Sequence, residues 1–527
     1  MTMWTILLAA LAAWPGWNFP RAPVKPKLVV VITVDQLRAD YLTRWKAQLT
    51  GGFATLETGA VFTNAFQDHA VTETAPGHAT ILSGRWPAHT GIMTNSLGVG
   101  DSSAPLLGGP GLGASPHRFR GTAFFDWLHA AEPGSRALSV SRKDRGAILP
   151  IGKARQDVYW YEAGAFTTSR YYRDSLPAWV RAFNALRIPF QAAGHEYGML
   201  LPDSAYAEPD SEPWENGGHD VVFPHHLPTD STRAAAAFAG VPAMDSLTLA
   251  FALAGTEAMK LGRRGPTDLL AISLSTTDAI GHAFGPDSRE IHDQVLRLDR
   301  ALGWFLDRLI DRYGRDKILV VLTADHGVTP FPEYLRAHGR PTAQRVTIDT
   351  LVRAVNQALD HRLAAPAPLE WLWFDSGMLF LRDHGRLAAG GLPVDSVLGE
   401  VARRIRAVPG VARVTFPDSL ASADTAADPV ARRWLHEVVP DADVVLLVTL
   451  VDGNSWAYPG GIVPAMHGQP SDRDAHVPIL LWGKGIRPGL YGTRAATVDI
   501  APTLARLLDI TPLAVPDGRV LAEAFVP

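Results

Sequence analysis

Uninterrupted apolar runs, rather than alternating ones, set the hydrophobic pattern of this chain. Lys27 to Val34 reads Lys-Leu-Val-Val-Val-Ile-Thr-Val and stops on Asp35. Asp268 to Ser275 leads into Thr276, Thr277 and Asp278, with His282 four residues further on, and Lys317 to Thr323 leads into Ala324, Asp325, His326 and Gly327. A fourth run, Val477 to Trp482, follows His467 and His476. Runs without alternation mark strands buried on both faces, as in a parallel sheet covered by helices. From Arg289 to Asp311, Ile291, Val295, Leu298, Leu302 and Leu306 recur at helical spacing among charged residues, which predicts a helix lying on that sheet. Thr497 to Leu508 reads as another amphipathic helix. The pattern predicts an α/β fold with a large, mostly parallel central sheet and helices on both faces. Such sheets bind ligands beyond the C-terminal ends of their strands, so the acids that end these runs are site candidates.

Other stretches break the rhythm. Leu97 to Ser115 is rich in Gly, Ser and Pro, and Pro202 to Pro228 is a polar, Pro-rich loop with His219, His225 and His226. Both read as surface excursions, and histidines so irregularly spaced read as a solvated loop rather than a metal site. From 333 to 424 a small α+β insertion is predicted. It comprises a helix over Thr347 to Leu359, paired strands Leu369 to Asp375 and Gly377 to Leu381, a helix over Val394 to Val408, and a strand over Val411 to Phe416. It is expected to cap one side of the site. The core is then split between 25–332 and 425–527, and Asp443 to Leu450 is an apolar strand whose sheet the pattern leaves open.

Composition narrows the partners. Of 527 residues, 47% are hydrophobic and 19% charged, with a net charge of −4 and no long basic run, so neither nucleic acid nor an anionic membrane surface is suggested. There is no cysteine, which excludes disulfides, thiolate metal sites and a cysteine nucleophile, so any metal must be held by Asp, Glu and His. Trp4 to Trp14 has the length of a signal-peptide apolar region and is too short to span a bilayer, although no Lys or Arg precedes it. Ala10, Ala12 and Ala13 offer small residues for cleavage. A signal peptide over 1–18, a periplasmic or secreted location, no membrane span once it is removed, and a monomer are expected.

Asp35, Asp278, His282, Asp325, His326 and His467 together offer three carboxylates and three imidazoles, a set that suits Zn²⁺ and divides between two ions. A hydroxyl completes the set. In Val71 to Gly84, Thr74 precedes Pro76, which is tolerated in the first turn of a helix, so Thr74 is expected at a positive helix end that favours an anion. Taken alone, Thr74 reads as a capping residue; three acid-bearing strand ends make it a candidate ligand of the same metals. If Arg136 to Lys143 is extended, Lys143 and Arg145 point the same way and both reach one phosphoryl group; the alternative is an exposed charged strand end.

These residues resemble the alkaline phosphatase superfamily, and in particular its phosphodiesterase/nucleotide pyrophosphatase-like branch. The matching pieces are Val-Asp-Gln-Leu-Arg at 34–38, Thr-Glu-Thr-Ala-Pro-Gly-His at 72–78, Thr-Asp-Ala-Ile-Gly-His at 277–282, Thr-Ala-Asp-His-Gly at 323–327 and His-Gly at 467–468. The resemblance implies an alkaline phosphatase-like fold. It implies that Asp278, His282 and His467 hold one zinc, and that Asp35, Asp325 and His326 hold a second that also binds the Thr74 oxygen. Metal coordination is one of the few ways to make a threonine hydroxyl nucleophilic. Asn95 and the Lys143-Asp144-Arg145 run resemble the phosphate-binding set of threonine-nucleophile monoesterases in this branch. The function implied is hydrolysis of small-molecule phosphate monoesters through a phosphothreonine intermediate. Two alternatives are a phosphodiesterase or nucleotide pyrophosphatase on the same core, and a non-catalytic metal- or phosphate-binding protein. No third, magnesium, site is evident, and Thr74-Ala-Pro-Gly-His lacks the Cys/Ser and Arg of the sulfatase motif.

Overall fold

A computed structural model describes residues 25–365, 367–457 and 464–526. The proposed signal segment lies outside the described residues. Among the described residues nine strands form the main sheet, in the order Gly489–Tyr491, Ala60–Phe62, Ile479–Gly483, Ile318–Thr323, Leu28–Val34, Asp268–Leu274, Ala137–Ser141, Asp157–Glu162 and Ala165–Thr167. Pairing is parallel from Ile318–Thr323 through Leu28–Val34 and Asp268–Leu274 to Asp157–Glu162. Ile479–Gly483 and Ala165–Thr167 run against the rest.

The apolar runs are continuous because each strand feeds two cores. In Leu28–Val34, the side chains of Leu28, Val30, Ile32 and Val34 pack into one core, and Val29 and Val31 into the other. Ile291, Val295, Leu298, Leu302 and Leu306 of the helix Arg289–Tyr313 cover the first. Ile500, Ala501, Leu504 and Leu508 of the helix Ile500–Leu508 cover the second. Among the described residues no single helix is long and apolar enough to cross a membrane.

The four-stranded second sheet has the order Leu372–Asp375, Met378–Leu381, Val444–Leu450 and Val411–Thr415, antiparallel throughout. Val444–Leu450, the strand whose sheet the sequence left open, is therefore one of its two inner strands, and a boundary at 424 leaves that sheet incomplete. One face, with Leu379, Leu381, Leu446 and Val448, packs on the helices Asp349–Arg362 and Val394–Arg406. The other face, with Met378, Phe380 and Leu447, packs on Trp434 and on Ala70, Val71 and Met93 of the main body. The smaller unit thus leans on the stretch leading into Thr74.

Candidate active site

The central strands end level with one another: Thr33 lies opposite Thr323, and Val34 opposite Leu274. Asp35 follows directly, and Asp325 comes two residues beyond its strand. Thr276 opens the helix Thr276–Phe284, which puts Asp278 and His282 one turn apart on the same face. Asp245 fixes that helix start, accepting from the Thr276 amide at 3.2 Å and its hydroxyl at 2.8 Å. Ile479–Gly483 runs backwards, with Ile479 opposite Thr323, so its N-terminal end lies at the same edge. That reversal is how His467, upstream of the strand, reaches the acids.

Gln36 joins them, and sequence reasoning gave it no role. Its φ of +66° turns the chain sharply after Asp35. Its amide N–H then donates to Asp325 Oδ1 at 3.1 Å, and its side-chain amide to Asp278 Oδ1 at 3.0 Å. Gly281 leaves room for this, since a Cβ there would lie 1.8 Å from Gln36 Oε1.

Thr74 is the first residue of the helix Thr74–Ser83, and Glu73, with extended backbone, holds the N-cap position without a side-chain cap. The helix end is where it was expected, but Thr74 is not its cap. Its hydroxyl is free for other partners, with the residue 1% exposed. Gly77 allows the helix to cross the strand end at backbone contact, because a Cβ there would sit 2.2 Å from the Asp325 carbonyl oxygen. The preceding residue pair is tied down as well. The Thr72 carbonyl lies 2.7 Å from His467 Nδ1, and the Thr72 hydroxyl donates to the Gln469 carbonyl at 3.0 Å.

The three imidazoles are oriented alike. Nδ1 of His282 faces the Ala465 carbonyl at 2.6 Å, that of His467 the Thr72 carbonyl, and that of His326 the Gly327 carbonyl at 2.9 Å. A carbonyl only accepts, so each Nδ1 carries a hydrogen and each Nε2 is turned inward. His467 Nε2 lies 3.2 Å from His282 Nε2, and His326 Nε2 lies 3.3 Å from Asp35 Oδ1 without hydrogen-bonding. Two sets of ligand atoms lie within 4.8 Å of one another: Asp278, His326 and His467, and Asp35, Asp325 and His326. His282 adjoins the first, its Nε2 3.2 Å from Asp278 Oδ1. Inward-facing imidazole nitrogens and clustered buried carboxylate oxygens fit divalent cations, and the N/O donor set fits zinc.

The charges agree. Burial and Asp278 push the Asp35 carboxyl up, but Lys143 and His326 outweigh them and hold it well below the usual range. Burial likewise raises Asp278, and Lys143 and His282 hold it far down. His326 is pushed up to about 9, because Asp325, Asp35 and Asp278 overcome the effect of burial. His467 is pushed down to about 3 by burial and by His326. At His326 the surrounding carboxylates favour positive charge strongly enough to overcome desolvation, whereas at His467 they do not.

Lys143 supplies some of that charge. Its Nζ lies 2.6 Å from both Asp35 Oδ2 and Asp278 Oδ2, and it donates to Thr74 Oγ1 at 3.2 Å. Lys143 keeps the extended backbone expected of Arg136 to Lys143, at φ −97° and ψ 141°, but Arg145 is helical, so the two do not share one extended register. The strand ends at Ser141, whose hydroxyl accepts the Lys143 N–H at 3.0 Å, and a helix begins at Asp144. Arg145 lies in the first turn of that helix. Its side chain is 28% exposed and 3.6 Å from Asp144, and its Nε has no hydrogen-bond partner. Asn95 lies beside the Thr74 segment, its Oδ1 accepting the Ala75 N–H at 2.9 Å, which leaves its NH₂ to donate. Arg142, given no role from sequence, also approaches, with Nη2 3.9 Å from Asp278 Oδ2.

The loop histidines stand apart from these groups. His225 is not solvated: it is buried, with Nε2 3.1 Å from Glu290 Oε1, and His225–His226 pairs with Glu196–Tyr197. His219 is exposed.

Level strand ends, inward-facing imidazoles and a threonine hydroxyl beside buried acids define a metal-dependent hydrolase on an α/β sheet. The chain belongs to the type I phosphodiesterase/nucleotide pyrophosphatase family, whose model matches residues 29–354. It is 33% identical to alkaline phosphatase PhoV of Synechococcus elongatus, over 96% of this chain and 94% of that one. It is 34% identical to alkaline phosphatase PhoK of a Sphingomonas species, over 95% of this chain and 91% of that one. The crystal structure of wild-type alkaline phosphatase PafA is 30% identical and superposes with a TM-score of 0.85, covering 96% of this chain and 100% of that one. PafA has also been solved as a quadruple variant in which a Thr, an Asn, a Lys and an Arg are replaced, the residue types found here at 74, 95, 143 and 145.

Proposed function

We infer that the chain is an alkaline phosphatase, a phosphate monoester hydrolase in which Thr74 is the nucleophile. Thr74 Oγ attacks phosphorus, the ester oxygen leaves with a proton, and water then attacks the phosphothreonine to free phosphate and restore the hydroxyl. Asp278, His282 and His467 would hold one zinc ion, and Asp35, Asp325 and His326 a second. When bound, the pair would supply positive charge that lowers the pKa of the threonine hydroxyl and offsets charge on the leaving oxygen.

The side chains do the rest. Asn95 donates its NH₂ to a non-bridging phosphoryl oxygen. Lys143 and Arg145 supply charge to the others, which matters most for a monoester carrying about two negative charges at neutral pH. The observation that carries this reading is the contact of Lys143 Nζ with Thr74 Oγ1, which puts a cationic donor on the nucleophile itself. The apolar stretch from Trp4 to Trp14 supports export to the periplasm or medium, where small phosphate esters are the substrates.

The test compares turnover of an aryl phosphate with that of its methyl diester, in the wild type and in Lys143→Ala plus Arg145→Ala. The monoester is expected to be preferred, and the double variant to lose monoester turnover preferentially. A preferred diester, with monoester turnover unchanged in the variant, would make the protein a phosphodiesterase instead.

A further inference from the structure

The smaller unit reaches the site through one hairpin, and nothing in the reaction as proposed uses it. Leu372–Asp375 and Met378–Leu381 are joined through Ser376, whose φ of +49° turns its side chain out of the strand direction. The Ser376 hydroxyl donates to Glu73 Oε1. The other oxygen, Glu73 Oε2, accepts the backbone N–H of Asn95 at 2.8 Å. A second strand of the same link joins Ser96 Oγ to Asp375 Oδ2. Glu73 is also the N-cap residue from which Thr74 starts its helix.

We propose that Glu73 and Ser376 are positioning residues, a strut through which the inserted unit fixes the Asn95 amide on the phosphoryl group. The proposal rests on the reading of Asn95 given above. Asn95 sits in an irregular stretch between helices, so no ladder of backbone hydrogen bonds holds it. Its carbonyl accepts the Gly98 N–H at 3.2 Å in a local turn, and two further contacts tie it to the Thr74 segment: its side-chain oxygen on the Ala75 N–H, and its own N–H on Glu73. The first sets the rotation of the amide and the second sets the place of the backbone. Glu73 can serve only if it is itself held, and the Ser376 hydroxyl is the side-chain donor that holds it. The rest of the unit backs the strut, since Met378 and Phe380 pack against Val71 and Met93, close in sequence to Glu73 and Asn95 respectively. A carboxylate bridging a backbone N–H and a hydroxyl makes charge-assisted bonds, which hold a geometry more firmly than neutral ones. A loosened donor loses transition-state stabilisation while leaving the fold intact.

The test is a double-mutant cycle on kcat/KM for an aryl phosphate, with Ser376→Ala, Glu73→Gln, Asn95→Ala and the paired variants. Ser376→Ala is expected to lose about fivefold and Glu73→Gln about tenfold or more, the scale of one or two hydrogen bonds. Both losses should vanish in the Asn95→Ala background. Hydrogen exchange at the Asn95 amide should quicken in Ser376→Ala. Arg382→Ala, an exposed change in the same unit, should leave turnover unchanged. Equal losses with and without Asn95 would overturn the strut while leaving the role of Asn95 standing. An Asn95→Ala variant with wild-type monoester turnover would overturn the role of Asn95, and the strut with it.

Discussion

Thr74 owes its place to what surrounds it rather than to its own bonds. It needs a close crossing of its helix over the Asp325 strand end, and Gly77 provides it. It needs a cation within reach, and Lys143 Nζ lies 3.2 Å away. Thr74→Ala should therefore lower turnover by roughly a thousandfold or more, whereas Thr74→Ser, which keeps the oxygen, should stay within about tenfold to a hundredfold of the wild type. Circular dichroism should show both variants folded. The same scale separates what was legible in the chain from what was not. Asp35, Asp278, His282, Asp325, His326 and His467 could be read because each follows or precedes an apolar run. Gln36 and Glu73 could not, because their roles arise from a left-handed turn and from an inter-unit contact that leave no periodic trace.

At the scale of elements, strands were the easier reading. A run such as Ile318–Thr323, buried on both faces, has no other stable home than the middle of a covered sheet. Its neighbour Ile479–Gly483 gave the same pattern but not its direction, since apolar character does not depend on polarity. The segment after Ser141 departs from its reading: an extended run over Arg136 to Lys143 was expected to align Lys143 with Arg145, but a helix begins at Asp144 and breaks that register. Helix placement depends on single buried groups. Asp299, 1% exposed on the helix Arg289–Tyr313, accepts from the Gly51 amide at 2.7 Å and the Phe53 amide at 2.8 Å, tying the start of the helix Gly52–Glu57. Asp299→Ala leaves two donors without that acceptor and should cost about 3 kcal/mol, measured as a lower midpoint in denaturant unfolding.

Over the whole molecule, the proposed ligands come from four widely separated stretches of chain, so metal bound there would add directly to the stability of the assembled fold. Treatment with a chelator should abolish turnover and lower the melting temperature, with zinc restoring both. A second whole-molecule effect comes from a buried carboxyl outside the ligand sets. Glu215, 2% exposed, is pushed up to about 9 by burial and by Glu290 and Glu212. Below its unfolded value near 4.5 both states hold the proton, whereas between there and about 9 only the folded state does, so its contribution to stability falls as pH rises through that window. Glu215→Gln removes the titration, and its melting temperature relative to the wild type should climb between pH 5 and pH 9. The backward strand Ile479–Gly483 has a temporal consequence too. During synthesis Asp35, Thr74, Asp278 and Asp325 all emerge well before His467, and the strand that carries His467 to their edge comes later still. The proposed set of Asp278, His282 and His467 is thus completed last, whereas that of Asp35, Asp325 and His326 needs none of the final strands.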